Sequence, residues 1–508
     1  MIPLSFFSPL ILLAAAALIA MRPGRRPGRL PLLAEAAAAV AFLCAIGGMV
    51  QLLAGGRLAG ALQLDTVGVT MALLVSAIGW VVMRYARTYL DGEAREGAFH
   101  ALMLATLAAV LVLVQAGSLI IVIPAFVATG LGLRQLLLFY KDRAQARRAA
   151  TKFSLVWHAG DAALVLAALL LWTSFGTLNL TGLAIVAKSG LPIAGHIAAV
   201  LIVLAALLKT AAFPFHGWLT EVMEAPTPVS ALLHAGIINA GGLLLIRNAD
   251  LLTASSGAMA ALAILGGATA LFGSVVMLTQ SAVKTALAWS TVAQMGFMLL
   301  QCGLGLWPLA LLHIVAHGLY KAHAFLDAGG AVAAVASLRK PGPVAVPDLA
   351  AVAKAFGLAL VVYSAVATVF YLIAGPKSAQ AVALGAILIF GVAYLVAQGL
   401  ADAAPVDLTR QTMIAAFGAT VGYFSFQWIA QHLWGPGLPA APVAGPLEWA
   451  LIVLAPLSFG TVAVAQSLFP LWAHHPATAA LRVHLANGLY LNALLDRMIG
   501  GFRADKPL

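Results

Sequence analysis

Residues 201–236 read LIVLAALLKTAAFPFHGWLTEVMEAPTPVSALLHAG, a stretch in which eight apolar residues run directly into Lys209. Pro214 follows closely, and it is expected to break the helix that carries Lys209, because proline lacks a backbone donor and clashes with the preceding turn. A broken helix at membrane depth is a common way to build an ion site. The stretch therefore predicts a membrane helix that is interrupted beside a buried charge.

The composition predicts that the whole chain is an all-α polytopic membrane protein. Of its 508 residues, 63% are hydrophobic and 9% are charged. Apolar runs of about twenty residues, long enough to cross ~30 Å of hydrocarbon as helices, recur from end to end. We expect about 14–15 transmembrane helices. The segments are 4–21, 32–53, 64–83, 99–115, 117–139, 153–172, 192–213, 228–246, 255–279, 284–302, 306–331, 355–374, 380–401, 411–431 and 447–472.

The basic residues indicate how these segments are oriented. They concentrate in the loops after odd-numbered segments, which by the positive-inside tendency are cytoplasmic. The N-terminus is then periplasmic, and the amphipathic tail at 475–508 is cytoplasmic, either lying on the membrane surface or docking a partner. The residues of these loops are Arg22, Arg25, Arg26, Arg29, Arg84, Arg87, Arg95, Lys141, Arg143, Arg147, Arg148, Lys152, Arg339, Lys340 and Lys354.

The sequence lacks the features that several classes of function require. The net charge of +11 resides in short loops rather than in a basic patch interleaved with aromatics, so no nucleic acid is expected. Cys44 and Cys302 are too few and too far apart to hold a metal or cluster by themselves. Dinucleotide, P-loop and nucleophile-elbow motifs are missing as well. We expect no catalytic centre and no metal in this chain, which instead moves something across the membrane.

The segment LLHIVAHGLYKAHAFLDAGG places titratable residues along one helix face. At ~100° per residue, His313, His317 and Lys321 advance by only ~40° each, and Asp327 falls ~40° to the other side of His313. A charge inside a bilayer costs at least ~2.5 kcal/mol, so this file favours a proton relay over hydrogen bonding between helices. His323 points elsewhere and is interpreted as a packing or interface residue.

Other polar residues near membrane segments are candidates for the same path. Asp161 and His234 lie within apolar runs, and Glu224, bracketed by Met and Ala-Pro, is predicted to form an ion pair with Lys209. Glu221 is interpreted as an exposed loop acid. Lys284 opens its helix, and both a snorkelling position and a relay role stay open.

The stretch KTAAFPFHGWLTEVMEAPTPVSALLHAG resembles the signature of the proton-conducting membrane subunits shared by respiratory complex I, Mrp cation/proton antiporters and membrane-bound hydrogenases. LTQSAVKTALAWSTVAQMGFM and the His-and-Lys helix extend the resemblance over about residues 150–335. It implies a core with two inverted five-helix repeats, approximately 99–246 and 255–401 within an antiporter-like domain at 1–474. The resemblance also implies proton-transfer roles, carried by Lys209, Asp161, His234, Lys284, His313, His317 and Lys321.

Two features of that family are not matched. The paired glutamate of the fifth helix should fall near VIPAFVATGLGL, where this chain has Val127 and Ala128. The later lysine in a broken helix is also missing after Arg339, and Lys377 is interpreted as a loop residue. The acid that faces Lys209 is therefore predicted to be Asp161, Glu224 or a carboxylate from a partner.

These departures, together with AHGLYKAHAFLDAGG and VHLANGLYLNALLDR, resemble the membrane subunits of DAB inorganic-carbon accumulation complexes in the bacterial inner membrane. The resemblance implies a large cytoplasmic DabA-like partner, similar to β-type carbonic anhydrases and holding its own zinc. This chain would supply the flow of protons, or alternatively of Na+, that energises uptake. The alternatives are a subunit of a redox-driven complex, a cation/proton antiporter and a structural anchor with a decayed channel.

Overall fold

The computed structural model describes residues 2–330, 349–399, 406–468 and 475–498, and these are almost entirely helical. Pairing of the β type is limited, within these ranges, to isolated bridges such as that of Leu62 with Ala116. The predicted all-α architecture is confirmed. The domain boundary predicted at 474 and the tail residues after 498 lie outside the described residues.

The described residues form 21 α-helices, numbered here in chain order. They are α1 (Ser8–Ala20), α2 (Leu30–Leu53), α3 (Thr66–Tyr89), α4 (Glu96–Gln115), α5 (Leu119–Leu137), α6 (Ala144–Phe175), α7 (Leu180–Ala187), α8 (Ile193–Lys209), α9 (Gly217–Glu221), α10 (Thr227–Ala235), α11 (Ala240–Arg247), α12 (Ala249–Thr253), α13 (Ser256–Met277), α14 (Val283–Gly303), α15 (Trp307–Asp327), α16 (Leu349–Ala374), α17 (Ala379–Gly399), α18 (Val406–Trp434), α19 (Pro446–Ser467), α20 (Pro476–Ala486) and α21 (Leu491–Met498).

Helix lengths agree with the predicted membrane segments. Eleven helical stretches of the described residues are long and apolar enough to cross a membrane. Three shorter apolar helices, Leu4–Ala20, Ile193–Lys209 and Ala379–Gly391, coincide with further predicted segments, and α14 coincides with the remaining one. Large apolar side chains such as Leu53 and Leu372 are 78% and 77% exposed, as expected for helices that face lipid.

Packing organises the bundle around one large apolar core and two smaller ones. Helices α1–α15 share a continuous set of buried apolar side chains, and α18 adds Ala430 and Trp434 to it. A second set joins α13, α14 and α15 to α17 and α19. A third lies between α16, α17 and α18. The boundaries of the two inverted repeats stay predictions.

The helix that carries Lys209 is broken where the sequence predicted. α8 ends at Lys209, and α-helix does not resume until Gly217. Side chains satisfy two of the backbone groups that the break releases. The Phe213 N–H donates to Thr269 Oγ1 at 3.1 Å, and the Trp218 indole donates to the Leu208 carbonyl at 3.2 Å. Such compensation is required inside hydrocarbon, where no bulk water replaces the lost bonds.

A second interruption was not predicted. The segment at 228–246, expected as one helix, is divided into α10 and α11 by a 3-10 turn over Ile237–Asn239. The Asn239 side chain donates to the Ala235 carbonyl at 2.7 Å and so satisfies a group at the joint. The glycines in HAGIINAGG are the sequence signal for this division.

The three basic loops that the structure describes in full lie together at one end of the bundle. The Gly97 N–H donates to the Gly24 carbonyl at 3.1 Å, and Arg95 donates to the Phe139 carbonyl at 3.3 Å. The C-terminal helices α20 and α21 lie at this end too, because Asn492 accepts a hydrogen bond from Lys152 at 2.6 Å. The loops at 21–29, 90–95 and 138–143, three of those that the charge pattern assigned to one side, therefore share one end of the bundle.

Candidate functional site

Lys209 is the centre of a buried polar site between α6 and α8. Its side chain is fully buried, at the last residue of α8. Lys209 Nζ lies 2.5 Å from Asp161 Oδ1 on α6 and donates to the Trp157 carbonyl at 3.3 Å. Asp161 is therefore the acid that faces Lys209, one of the alternatives that the sequence left open.

Aromatic rings line the rest of the Lys209 site. Lys209 Nζ lies 4.4 Å from the ring centre of Phe126 and 4.2 Å from that of Trp157, distances typical of cation–π contacts. Gly160 leaves room for the lysine stem, since a Cβ there would lie 3.3 Å from Lys209 Cε. Phe126 lies on α5, directly before Val127 and Ala128, where the resemblance described above led us to expect a glutamate.

The location of this pair indicates a functional role rather than a stabilising one. Asp161 is 5% exposed and Lys209 is fully buried. Removing two charges from water costs several kcal/mol per ion, and a buried pair often recovers no more than that. A stable membrane core could be built with apolar residues at both positions, so the charges themselves are the feature to explain.

Asp161 has a second partner that the sequence analysis did not single out. His158, one turn earlier on α6, places Nδ1 2.9 Å from Asp161 Oδ2. The His158 side chain is 38% exposed, so a titratable ring connects the buried carboxylate with the outer surface of the helix. The spacing of three residues in WHAGD was the available signal.

Both predictions about the two glutamates are wrong. Glu224 does not reach Lys209; it pairs with Arg143 at 3.2 Å, where both side chains are about half exposed. Glu221, predicted to be an exposed loop acid, is 15% exposed and lies 2.7 Å from Lys152 Nζ. After the break, Glu221 ends α9 and Glu224 lies in the 3-10 turn that follows, where the two acids pair with Lys152 and Arg143.

Glu224→Gln is therefore expected to leave proton flux unchanged and to alter stability by at most about 1 kcal/mol, because exposed ion pairs contribute little. The measurement is flux in proteoliposomes, together with the thermal unfolding midpoint. Arg143→Gln, which removes the other partner, serves as the matched control. A loss of flux in Glu224→Gln but not in Arg143→Gln would show that Glu224 takes part in proton transfer.

A second group of polar side chains lies between α10, α14 and α15. His234 is fully buried. Its Nδ1 lies 3.0 Å from Thr291 Oγ1, and its ring stacks on Phe325 with centres 4.3 Å apart. Lys321, also fully buried, donates to the Leu287 carbonyl at 2.9 Å. The structure thus brings together groups that the sequence placed on separate helices.

Lys284 lies at the margin of this group. It is the second residue of α14 and donates to Thr227 Oγ1 at the start of α10, at 3.2 Å. Its partly buried position fits neither a free snorkelling lysine nor a fully enclosed one. The contact ties the first turns of α10 and α14 together beside His234.

The residues predicted to form a file on one face of α15 are only partly buried, which differs from the prediction. The rings of His313 and His317 lie 6.1 Å apart, centre to centre. Both His317 nitrogens are buried and form no hydrogen bond with the described residues, a setting that suits bridging water. Asp327, by contrast, is exposed as the last residue of α15, because the helix runs out of the bundle there. His323 is exposed too.

Lys377 is a loop residue, as predicted, but not a freely solvated one. It lies between α16 and α17, bonds the Gln427 side chain and sits 3.8 Å from the ring centre of Phe424. Burial lowers the pKa of Lys377 to about 8. It lines a cavity of about 410 Å³ at the end of the bundle opposite the basic loops.

The chemistry available here is proton transfer. Histidine titrates near neutral pH, and lysine and aspartate in contact can share a proton between them. No hydrogen bond among the described residues joins the Lys209–Asp161 pair to the group around His234, so water would have to connect the two. The described residues also contain no group of three His, Cys, Asp or Glu side chains that could hold a metal ion.

The fold and a matching family model define the class of protein. A protein-family model described as "NADH:quinone oxidoreductase/Mrp antiporter, TM" matches residues 116–340. The Mrp complex from Dietzia sp. DQ12-45-1b is similar with a TM-score of 0.62 over 99% of this chain and 60% of that chain, at 24% identity. An archaeal membrane-bound sulfane sulfur reductase gives 0.58 over 96% and 99%, at 16% identity. At these identities the two structures show the fold alone, which is antiporter-like.

Curated relatives narrow this class. The probable inorganic carbon transporter subunit DabB2 of Halothiobacillus neapolitanus is 38% identical over 467 residues, 89% of this chain and 82% of that protein. DabB of Hydrogenovibrio crunogenus is 43% identical over 262 residues, 51% of each chain. NADH-quinone oxidoreductase subunit L of Mycobacterium tuberculosis is 33% identical over 54% of this chain and 44% of that protein. The chain belongs to the DabB family of inorganic carbon transporter subunits.

Proposed function

We propose that this chain conducts protons across the bacterial inner membrane and thereby energises inorganic-carbon uptake by a cytoplasmic partner. The observation that carries the proposal is the buried Lys209–Asp161 pair, 2.5 Å apart at the end of a broken helix. Charges at such positions are costly and mark ion pathways. The relatives named as probable inorganic carbon transporter subunits support the link to carbon uptake.

The proposed path has two parts. In the first, a proton is exchanged at Lys209 and Asp161. In the second, protons pass between α10, α14 and α15, where buried imidazole and ammonium groups follow one another. Glu224 and Asp327 lie outside this buried path. The residues assigned to the second part are His234, Lys284, His313, His317 and Lys321.

The partner in this proposal is a large cytoplasmic DabA-like protein that resembles a β-type carbonic anhydrase and holds its own zinc. In this proposal the zinc and the catalytic centre belong to the partner, and the role of this chain is to conduct protons. The basic loops and the tail face the cytoplasm and the N-terminus faces the periplasm, following the charge pattern. Inward proton flow biases CO2 hydration in the partner through a coupling free energy between the two sites.

Relatives also include complex I subunits, so a redox-driven complex or a cation/proton antiporter is the second candidate. Subunit L of Mycobacterium tuberculosis matches 54% of the chain, and the fold is shared with an Mrp complex. The two candidates differ in what accompanies the membrane subunit and in whether Na+ is transported.

Affinity purification of the tagged chain from its native membrane distinguishes these candidates. We expect a large zinc-containing soluble protein to co-purify, and we expect deletion of the chain to prevent growth at air-level CO2 while growth at elevated CO2 continues. Growth on high Na+ serves as the control. Co-purification of iron–sulfur or quinone-binding subunits, or Na+ sensitivity without a CO2 requirement, would replace the proposal with the second candidate.

A further inference from the structure

A third fully buried lysine, besides Lys209 and Lys321, lies near the end of the bundle that carries the basic loops. The sequence places Lys152 among loop charges. In the structure α6 begins at Ala144, so Lys152 lies within this helix, and its side chain is fully buried. Lys152 Nζ lies 2.7 Å from Glu221 Oε1, 2.5 Å from Asp496 Oδ1 and 2.6 Å from Asn492 Oδ1. Two of these three partners come from the C-terminal helix α21.

The charges in this cluster balance. Arg148, one turn before Lys152 on α6, lies 3.7 Å from Glu221, so two cations face two carboxylates. The Asn492 amide also donates to Glu221. The cluster therefore joins α6, α9 and α21, and removal of one charged partner would leave it with an unbalanced buried charge. This arrangement attaches the tail far more firmly than a surface-lying segment would need.

A separate contact places the turn between α20 and α21 against the segment that follows the helix break. Gly488, Leu489 and Tyr490 have φ values of +56°, +53° and +60°, a left-handed turn between α20 and α21. A Cβ on Gly488 would lie 3.3 Å from the Trp289 ring and 3.8 Å from His216 Nε2. His216 belongs to the segment between Lys209 and α9, and it is 1% exposed. Left-handed backbone at non-glycine residues is unfavourable and persists only where its surroundings impose it.

We propose that residues 476–498 form a cap over the inner end of the proton path, and that Lys152 is the positioning residue that holds this cap. The cap covers the segment from residue 210 to residue 216, through which a proton from the cytoplasm reaches Lys209. That the covered path carries protons rests on the proposed function. The attachment of the tail rests on the contacts of Lys152 and Gly488 themselves. Opening requires α21 to separate from Lys152 and Gly488 to leave Trp289.

The test uses two variants of the intact complex that release the cap in different ways. Asp496→Asn removes a charge but keeps the shape, and Gly488→Val inserts a side chain toward Trp289 in a left-handed backbone without changing any charge. Arg497→Ala, at an exposed neighbour on α21, is the matched control. Hydrogen exchange of the amides at 476–498 reports release of the tail, and a pH-sensitive dye in proteoliposomes reports flux without CO2.

We expect both release variants, but not the control, to lose exchange protection in the tail and to raise flux severalfold. Rapid exchange of the tail in the unaltered complex would overturn the cap. Unchanged flux after the tail is released would overturn it too, provided that Lys209→Ala still abolishes flux. If Lys209→Ala leaves flux unchanged, the proposed function itself fails, and the cap fails with it.

Discussion

Lys209→Ala is expected to abolish growth at air-level CO2 and to lower proton flux through the reconstituted complex by on the order of 10²-fold, the range typical of losing a positioned proton-transfer group. The ammonium is the group that contacts Asp161 at 2.5 Å, between the rings of Phe126 and Trp157. Alanine offers no atom that can hold a proton there. Growth on limiting CO2 and dye-reported flux in proteoliposomes measure the two effects.

Assembly must be shown to survive the substitution. The amount of partner that co-purifies with the variant measures this directly. Lys188→Ala, which removes an exposed lysine in the loop before α8, is the control for a change of charge elsewhere in the chain. Normal growth of Lys209→Ala at air-level CO2 would contradict the proposed path.

Asp161→Ala is expected to combine loss of flux with a large loss of stability. Breaking a buried pair by removing one partner costs about 3–5 kcal/mol, because the other charge stays buried without compensation. Lys209 is fully buried and, among the residues that the structure describes, keeps only the Trp157 carbonyl as a hydrogen-bond acceptor once Asp161 is gone. The thermal unfolding midpoint in detergent should therefore fall well below that of the unaltered protein.

The double variant Lys209→Met/Asp161→Leu separates stability from function. Replacing both charges with apolar groups of similar size is often neutral or stabilising, so the unfolding midpoint should return while flux stays absent. Asp91→Ala, at a side chain that is 65% exposed, should change neither quantity. A double variant that still conducts protons would show that the pair is structural.

Much of the fold was accessible from the sequence. The membrane segments follow from the length of apolar runs, and the break after Lys209 follows from Pro214. The division of 228–246 was missed because its glycines lie inside a run that is apolar throughout, where hydropathy cannot mark a joint. Lys152 was assigned to a loop because helix starts are poorly marked in a stretch as basic as KDRAQARRAATK.

The sequence predicted the site only in part, and the errors of that prediction have a common origin. Helical periodicity places His313, His317 and Lys321 on one face, and it placed Asp327 there correctly by angle. Periodicity says nothing about depth, however, and α15 leaves the bundle before Asp327. Glu224 was paired with Lys209 on closeness in sequence, but the chain turns at the break and directs Glu224 to Arg143.

By itself, the sequence determined that this chain is a helical membrane protein with a broken helix and costly charges within its apolar segments. Hydropathy, helical period and the missing donor of proline are local properties, and they can be read without knowing the packing. Only the tertiary structure decided that Asp161, 48 residues from Lys209, is its partner. It also decided that a tail residue 340 positions away contacts Lys152, because such pairings depend on which helices pack together.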